Sequence, residues 1–125
     1  MDPINSESCP ASCLPKPSLE ERPLLSPEKS LELVALFKVL ANDTRLRLLH
    51  AIVRQREMGV MELAEALGMK PQAVSNQLQR LADRGILESR RQGIKIYYRI
   101  VDPCVIEILD HGLCLSEDAK ARMRR

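Results

Sequence analysis

Apolar residues recur at helical spacing along most of this chain and alternate with polar ones in a single stretch. Ser26-Pro27-Glu28 reads as a helix start: Ser caps, Pro suits the first helical position, and Glu favours the positive helix end. The first helix runs to about Leu40, with Leu31, Val34, Phe37 and Leu40 forming an apolar stripe. "AND" at 41–43 breaks it. A second helix, from about Thr44 to Arg54, is expected to bury Leu46, Leu49, Ile52 and Val53. A third, from about Met61 to Leu67, buries Leu63 and Leu67, and Gly68 ends it. Pro71 opens a fourth, whose Val74, Leu78, Leu81 and Ala82 share the inner face. Gly85 closes it. Ile86–Arg91 and Ile94–Val101 read as two strands joined through Gln92-Gly93, with Ile94, Ile96, Tyr98 and Ile100 on one face. A last helix follows, with Asp102 as cap and Pro103 at its first position.

The predicted fold is therefore mainly α: helix, helix, helix–turn–helix, β-hairpin, helix. The short "GMK" turn before Pro71 is what a helix-turn-helix requires, and the hairpin makes it winged. Residues 26–116 form this domain. Six of the eight prolines lie between Pro3 and Pro27 in a stretch without periodicity. Residues 1–25 are read as a flexible N-terminal tail, and residues 117–125 as a C-terminal tail.

Composition narrows the picture further. The aromatic residues are Phe37, Tyr97 and Tyr98, so Leu, Ile, Val, Ala and Met must build the core. No apolar run approaches the roughly 20 residues that cross a bilayer, and the N-terminus has no apolar signal core. A cytoplasmic protein without a membrane partner is expected. Four cysteines in 125 residues are too few for a disulfide scaffold. No Gly-rich phosphate loop, paired carboxylates or Ser/His/Asp arrangement points to an enzyme. The net charge of +2 averages over unlike segments.

The outer face of the fourth helix carries Gln72, Ser75, Asn76 and Gln79 at i, i+3, i+4 and i+7. Asn and Gln pair bidentately with adenine, and Ser donates or accepts, so this face suits base edges in a major groove. Lys70, Arg80, Arg84, Arg90, Arg91, Lys95 and Arg99 surround it, against Asp83 and Glu88. Such a local basic excess is the footprint of phosphate contact. Arg90, Arg91 and Lys95 flank the hairpin tip, where a wing touches DNA. A merely solvated helix face is the bland alternative, and a protein-interaction winged helix that does not bind DNA is the competing function.

The segments "ALFKVLANDTRLRLLHAI" and "ELAEALGMKPQAVSNQLQRLADRGILESRRQGIKIYYRI" resemble the ArsR/SmtB family of winged-helix repressors. The resemblance spans roughly residues 31–115. It implies a homodimer through the first and last helices, a pseudo-palindromic operator of double-stranded DNA, and release by an inducer. It also implies a recognition helix over Pro71–Arg84 and a wing over Arg90–Lys95. One family site uses C-x-C at the start of the third helix, where this chain has Gly59 and Met61. Sulfide-responsive members carry a cysteine where this chain has His50. A third site pairs D-x-H with H-x-x-E or H-x-x-H across two copies of the last helix. Here the matching stretches are Asp102-x-Cys104 and Leu115-x-x-Asp118, with His111 and Cys114 close by.

At 100° per residue, Cys104, Glu107, His111 and Cys114 fall within roughly an 80° arc of the last helix. Val105, Ile108, Leu109, Gly112 and Leu115 occupy the adjacent arc, taken as the dimer seam. Cys104 and Cys114 are about 15 Å apart along one helix. Zinc-type ligands sit within about 2.0–2.3 Å of the ion, and bridged cysteines within about 7 Å between Cα atoms. One helix can neither chelate through both nor bridge them. A shared site across two subunits, or one completed by Cys9 and Cys13, remains. Its thiolates suit Zn(II), Cd(II), Pb(II), Hg(II) or As(III) as an inducer, and no cofactor is required. Thiol redox or persulfide sensing, and no sensory role at all, are the alternatives. Met58, Met61 and Met69 are read as core or turn residues.

Overall fold

The computed structural model describes residues 16–124, so Cys9 and Cys13 lie outside the described residues. Its helices are α1 (Pro27–Leu40), α2 (Asp43–Gln55), α3 (Val60–Leu67), α4 (Pro71–Asp83) and α5 (Pro103–Met123). Its strands are β1 (Met58–Gly59), β2 (Leu87–Gln92) and β3 (Lys95–Ile100). A 3-10 turn, Leu19–Glu21, precedes α1, and there the Ser18 N–H donates to Glu21 Oε1 at 3.2 Å.

Side-chain caps set the helix starts, because the first amides of a helix lack partners within it. Ser26 Oγ accepts from the Lys29 N–H at 3.0 Å, and Asn42 Oδ1 from the Arg45 N–H at 3.0 Å. Asp102 Oδ1 accepts from the Cys104 N–H at 2.9 Å. At the turn of the helix-turn-helix, Gly68 takes φ +65°, and the Met69 N–H returns to the Ala64 carbonyl at 2.9 Å. That positive φ is cheap only for glycine.

The core lies where α2, α3 and α4 meet the sheet. Leu48, Leu49, Leu63, Val74, Leu78 and Leu81 are fully buried, with Tyr98 of β3 and Val105 of α5 closing the two sides. Met58, foreseen as core or turn, is buried among them.

The sheet has three antiparallel strands in the order β1-β3-β2. Pairing runs from Leu87↔Ile100 to Gln92↔Lys95 in the hairpin, with Met58↔Tyr98 and Gly59↔Tyr97 on the other side of β3. The two-residue strand β1 carries too short a pattern to be read from sequence. The hairpin turns one residue later than expected: Gly93 adopts φ +67°, and Ile94 sits in the turn, 94% exposed, rather than on the inner face.

Three further expectations change. Leu46 is exposed, because it projects from α2 beside α5 rather than into the core. The supposed C-terminal tail from 117 is helical, since α5 continues unbroken to Met123. The supposed seam arc of α5 is divided. Val105, Ile108 and Leu109 pack on the core of their own chain, while Leu115 is exposed.

What stays uncovered is a broad apolar face. Leu31, Val34 and Phe37 of α1 are exposed, as are Ile106, Leu113 and Leu115 of α5. Between α1, α2 and α5 runs an open groove of about 850 Å³, lined by Phe37, Leu40, Leu46, Val53, Ile106 and Leu113. Among the described residues, no helix is long and apolar enough to cross a membrane.

Candidate nucleic-acid interface and effector groups

The sequence of α4 alternates inner and outer residues at helical spacing, and the fold uses it that way. Val74, Leu78 and Leu81 anchor the helix in the core. Gln72, Asn76 and Gln79 are exposed on the opposite side, and Ser75 is half-buried at its margin. Gln72 Nε2 donates to Asn76 Oδ1 at 3.1 Å, and Gln79 Nε2 to Asp83 Oδ1 at 2.9 Å. The first bond leaves the Asn76 amide hydrogens and Gln72 Oε1 for a further partner. Lys70 and Arg80 are exposed at the same helix.

Sequence reasoning did not single out Arg45 and Gln77. Half-buried Arg45 donates through Nε to Gln77 Oε1 at 2.8 Å and through Nη1 to the Val39 carbonyl at 3.0 Å. It ties the end of α1 to α4 from α2. An arginine in a long amphipathic helix gives no signal for this, because its partners are remote in sequence.

The wing separates into two sets of basic residues. Arg91 and Lys95 are exposed near the tip. Arg90 is held instead: Nε and Nη2 donate to the two oxygens of Glu57, each at 2.8 Å. Its guanidinium also lies 4.9 Å from the Tyr97 ring centroid. The Arg90 hydrogen bond keeps the Glu57 carboxyl below its ordinary range, and the same bond raises Arg90. Arg99 pairs with Glu88 in the neighbouring cross-strand position. Glu57 thus adds an acid to this basic surface, from a position 33 residues away from Arg90 in sequence.

The effector candidates sit along α5 and are dispersed. Cys104, His111 and Cys114 are all exposed. Asp102 is engaged in capping the helix. The Cys114 thiol donates to Asp118 Oδ2 at 3.7 Å. Nearby negative charge, Asp118 first, raises the Cys114 pKa. Among the described residues, no three His, Cys, Asp or Glu side chains converge as a metal site. His50 borders the apolar groove with Glu107 and Asp110. At the start of α3, a Cβ on Gly59 would lie 3.3 Å from Tyr97 Cε1. The tyrosine ring therefore closes the place where a ligand side chain would project from position 59.

Comparisons with known proteins agree with this geometry. A family model described as HVO_A0114 matches residues 40–102. The crystal structure of the AntR antimony-specific transcriptional repressor superposes with a TM-score of 0.74 at 61% identity, covering 87% of this chain and 98% of that one. The homodimeric winged helix-turn-helix DNA-binding domain of Mb0332 from Mycobacterium bovis is 33% identical, covering 78% of this chain and 92% of that one, with a TM-score of 0.65. The transcriptional repressor SmtB homologue of Synechocystis is 35% identical over 92 residues, 70% of this chain and 69% of its own length. With its helix-turn-helix, basic wing and these relatives, the chain belongs to the ArsR/SmtB family of winged-helix DNA-binding transcriptional repressors.

Proposed function

We propose that the chain is a homodimeric repressor that leaves its operator when a thiophilic metal or metalloid ion binds. The observation that carries this is the 61% identity to the antimony-specific repressor across 87% of this chain. A trivalent metalloid, As(III) or Sb(III), is accordingly the first inducer to test, ahead of Zn(II), Cd(II), Pb(II) and Hg(II). Such soft ions prefer thiolate ligands.

In this reading the exposed faces of α1 and α5 cover each other across a two-fold axis. An exposed apolar patch of this kind marks a protein interface. Gln72, Ser75, Asn76 and Gln79 read bases, while Lys70, Arg80, Arg91 and Lys95 meet phosphates. Cys104 and Cys114 lie too far apart on one helix to share an ion, so the inducer site joins groups from both subunits. Asp102, His111 and Asp118 border those thiols, and Cys9 and Cys13 are further donors in reach of the test. The repressor acts on DNA in the cytoplasm.

Thiol-redox sensing ranks second. A reactive cysteine needs a lowered pKa, whereas that of Cys114 is raised. The test is operator binding by the reduced protein, titrated with antimonite, arsenite and each divalent ion. Release by at least one ion, abolished in Cys104→Ser or Cys114→Ser, is expected. If no ion changes DNA affinity, the inducer assignment fails while the DNA-binding role stands.

A further inference from the structure

The wing of this fold is attached to the body by little backbone. β1 contributes two paired residues, Met58↔Tyr98 and Gly59↔Tyr97, while Leu87 and Tyr98 anchor the inner face of the hairpin in the core and its tip is exposed. On the outer face of the sheet, side chains supply a second attachment. Arg56 ends α2 with φ +72°, a strained value for a residue with a Cβ. That turn brings Glu57 beside β3 and across from β2. There Glu57 receives both oxygen contacts from Arg90 at 2.8 Å. Arg90 Nη1 also donates to Gln92 Oε1 at 3.0 Å, next to the hairpin turn. The Arg90 guanidinium faces the Tyr97 ring, and that ring lies against Gly59. The row Arg90–Tyr97–Gly59 therefore crosses all three strands, in the pairs Arg90↔Tyr97 and Tyr97↔Gly59.

We infer that Glu57 and Arg90 form a clamp that sets the angle of the wing, and that Arg90 is a positioning residue for operator binding rather than a phosphate contact. The inference rests on the DNA-binding role of the wing. The planar fork of Arg matches a carboxylate bidentately, which fixes direction as well as distance. Three of its N–H groups are already directed to Glu57 and Gln92, and one face is against Tyr97. Arg91 and Lys95, exposed near the tip, are left to carry its phosphate contacts.

The experiment measures operator affinity by fluorescence anisotropy at several salt concentrations. It compares the full chain with Glu57→Gln, Arg90→Gln, and the exchanged pair Glu57→Arg together with Arg90→Glu. Thermal melts of each variant check folding. The clamp predicts that Glu57→Gln and Arg90→Gln each weaken binding about fivefold. It also predicts that the exchanged pair recovers most of that loss, and that Arg90→Gln leaves the salt slope near the wild-type value. A phosphate contact predicts the reverse. Glu57→Gln would bind as well as wild type or better, Arg90→Gln would lower the salt slope by about 0.9, and the exchanged pair would bind worst. Either that pattern or unchanged binding in both single variants overturns the clamp. If operator binding is absent from the wild type itself, the DNA-binding role fails, which is a distinct result.

Discussion

The thiol of Cys114 donates to the carboxylate of Asp118 one turn further along α5, at a sulfur–oxygen distance of 3.7 Å. A carboxylate beside a thiol disfavours the thiolate by like-charge repulsion and by holding the proton. Asp118 is the largest cause of the raised Cys114 pKa, joined by partial desolvation and by Asp110 and Glu117.

Chemical modification tests that relationship. With a raised pKa, Cys114 stays protonated at neutral pH, and its thiolate appears only as pH climbs past the ordinary thiol range. In a Cys104→Ser background lacking Cys9 and Cys13, iodoacetamide should alkylate Cys114 more slowly than a model thiol at pH 7.5, a buffer on the order of one pH unit below the ordinary thiol pKa. Asp118→Asn should accelerate it. In the proposed inducer site, ion binding through Cys114 would release that proton, so inducer affinity should rise with pH. Equal alkylation rates in Asp118→Asn and its parent would remove the proposed coupling.

The exposed amide of Asn76 gives a prediction about sequence reading. Asn76→Ala should cost about 1–3 kcal/mol for the cognate operator and little for unrelated DNA. Arg91→Ala should weaken both and lower the salt slope by about 0.9. Unchanged cognate binding in both variants means that α4 and the wing are not the DNA surface.

The apolar face of α1 and α5 predicts the oligomeric state. Phe37→Asp places a charge where 48% of the side chain's residue surface is exposed in one chain. The variant should keep its helical content and run as a monomer by light scattering, with operator affinity reduced. A wild-type protein that is already monomeric contradicts the proposed seam.

At position 59 the expected effect is steric. The Cβ of Gly59→Ala would meet the Tyr97 ring at 3.3–3.4 Å, and forcing the ring aside should cost about 1 kcal/mol. In a Tyr97→Ala background the same change should cost less. Equal losses in the two backgrounds, measured by chemical denaturation, would show that the ring is not the obstacle.

Arg45 offers a fifth test, inside the domain. Arg45→Met leaves the Val39 carbonyl and Gln77 Oε1 without that donor. The expected cost is about 1–3 kcal/mol of stability. Gln77→Leu should lose less, because it removes only one of the two bonds. A neutral Arg45→Met would mean that α1 and α4 are held by packing alone.

By itself the sequence determined the elements and the outer face of α4. Helical periodicity, Pro at helix starts and glycine at turns are local signals, and Val74, Leu78 and Leu81 could have only one inner face. The same local logic placed Asp102 as a cap and excluded a site within one helix for Cys104 and Cys114. Other features were decided only by tertiary structure. β1 is two residues long and exists because β3 pairs with it. Arg90 reads as one more cation of a basic wing, yet Glu57 is 33 positions away and meets it only through the strained turn at Arg56. The arc of α5 that faces its own core had to be chosen by packing against β3 and α2, since helix periodicity gives an apolar stripe but not its partner. Short-range rules set backbone state at each residue, and long-range contacts decide which charges remain available for DNA.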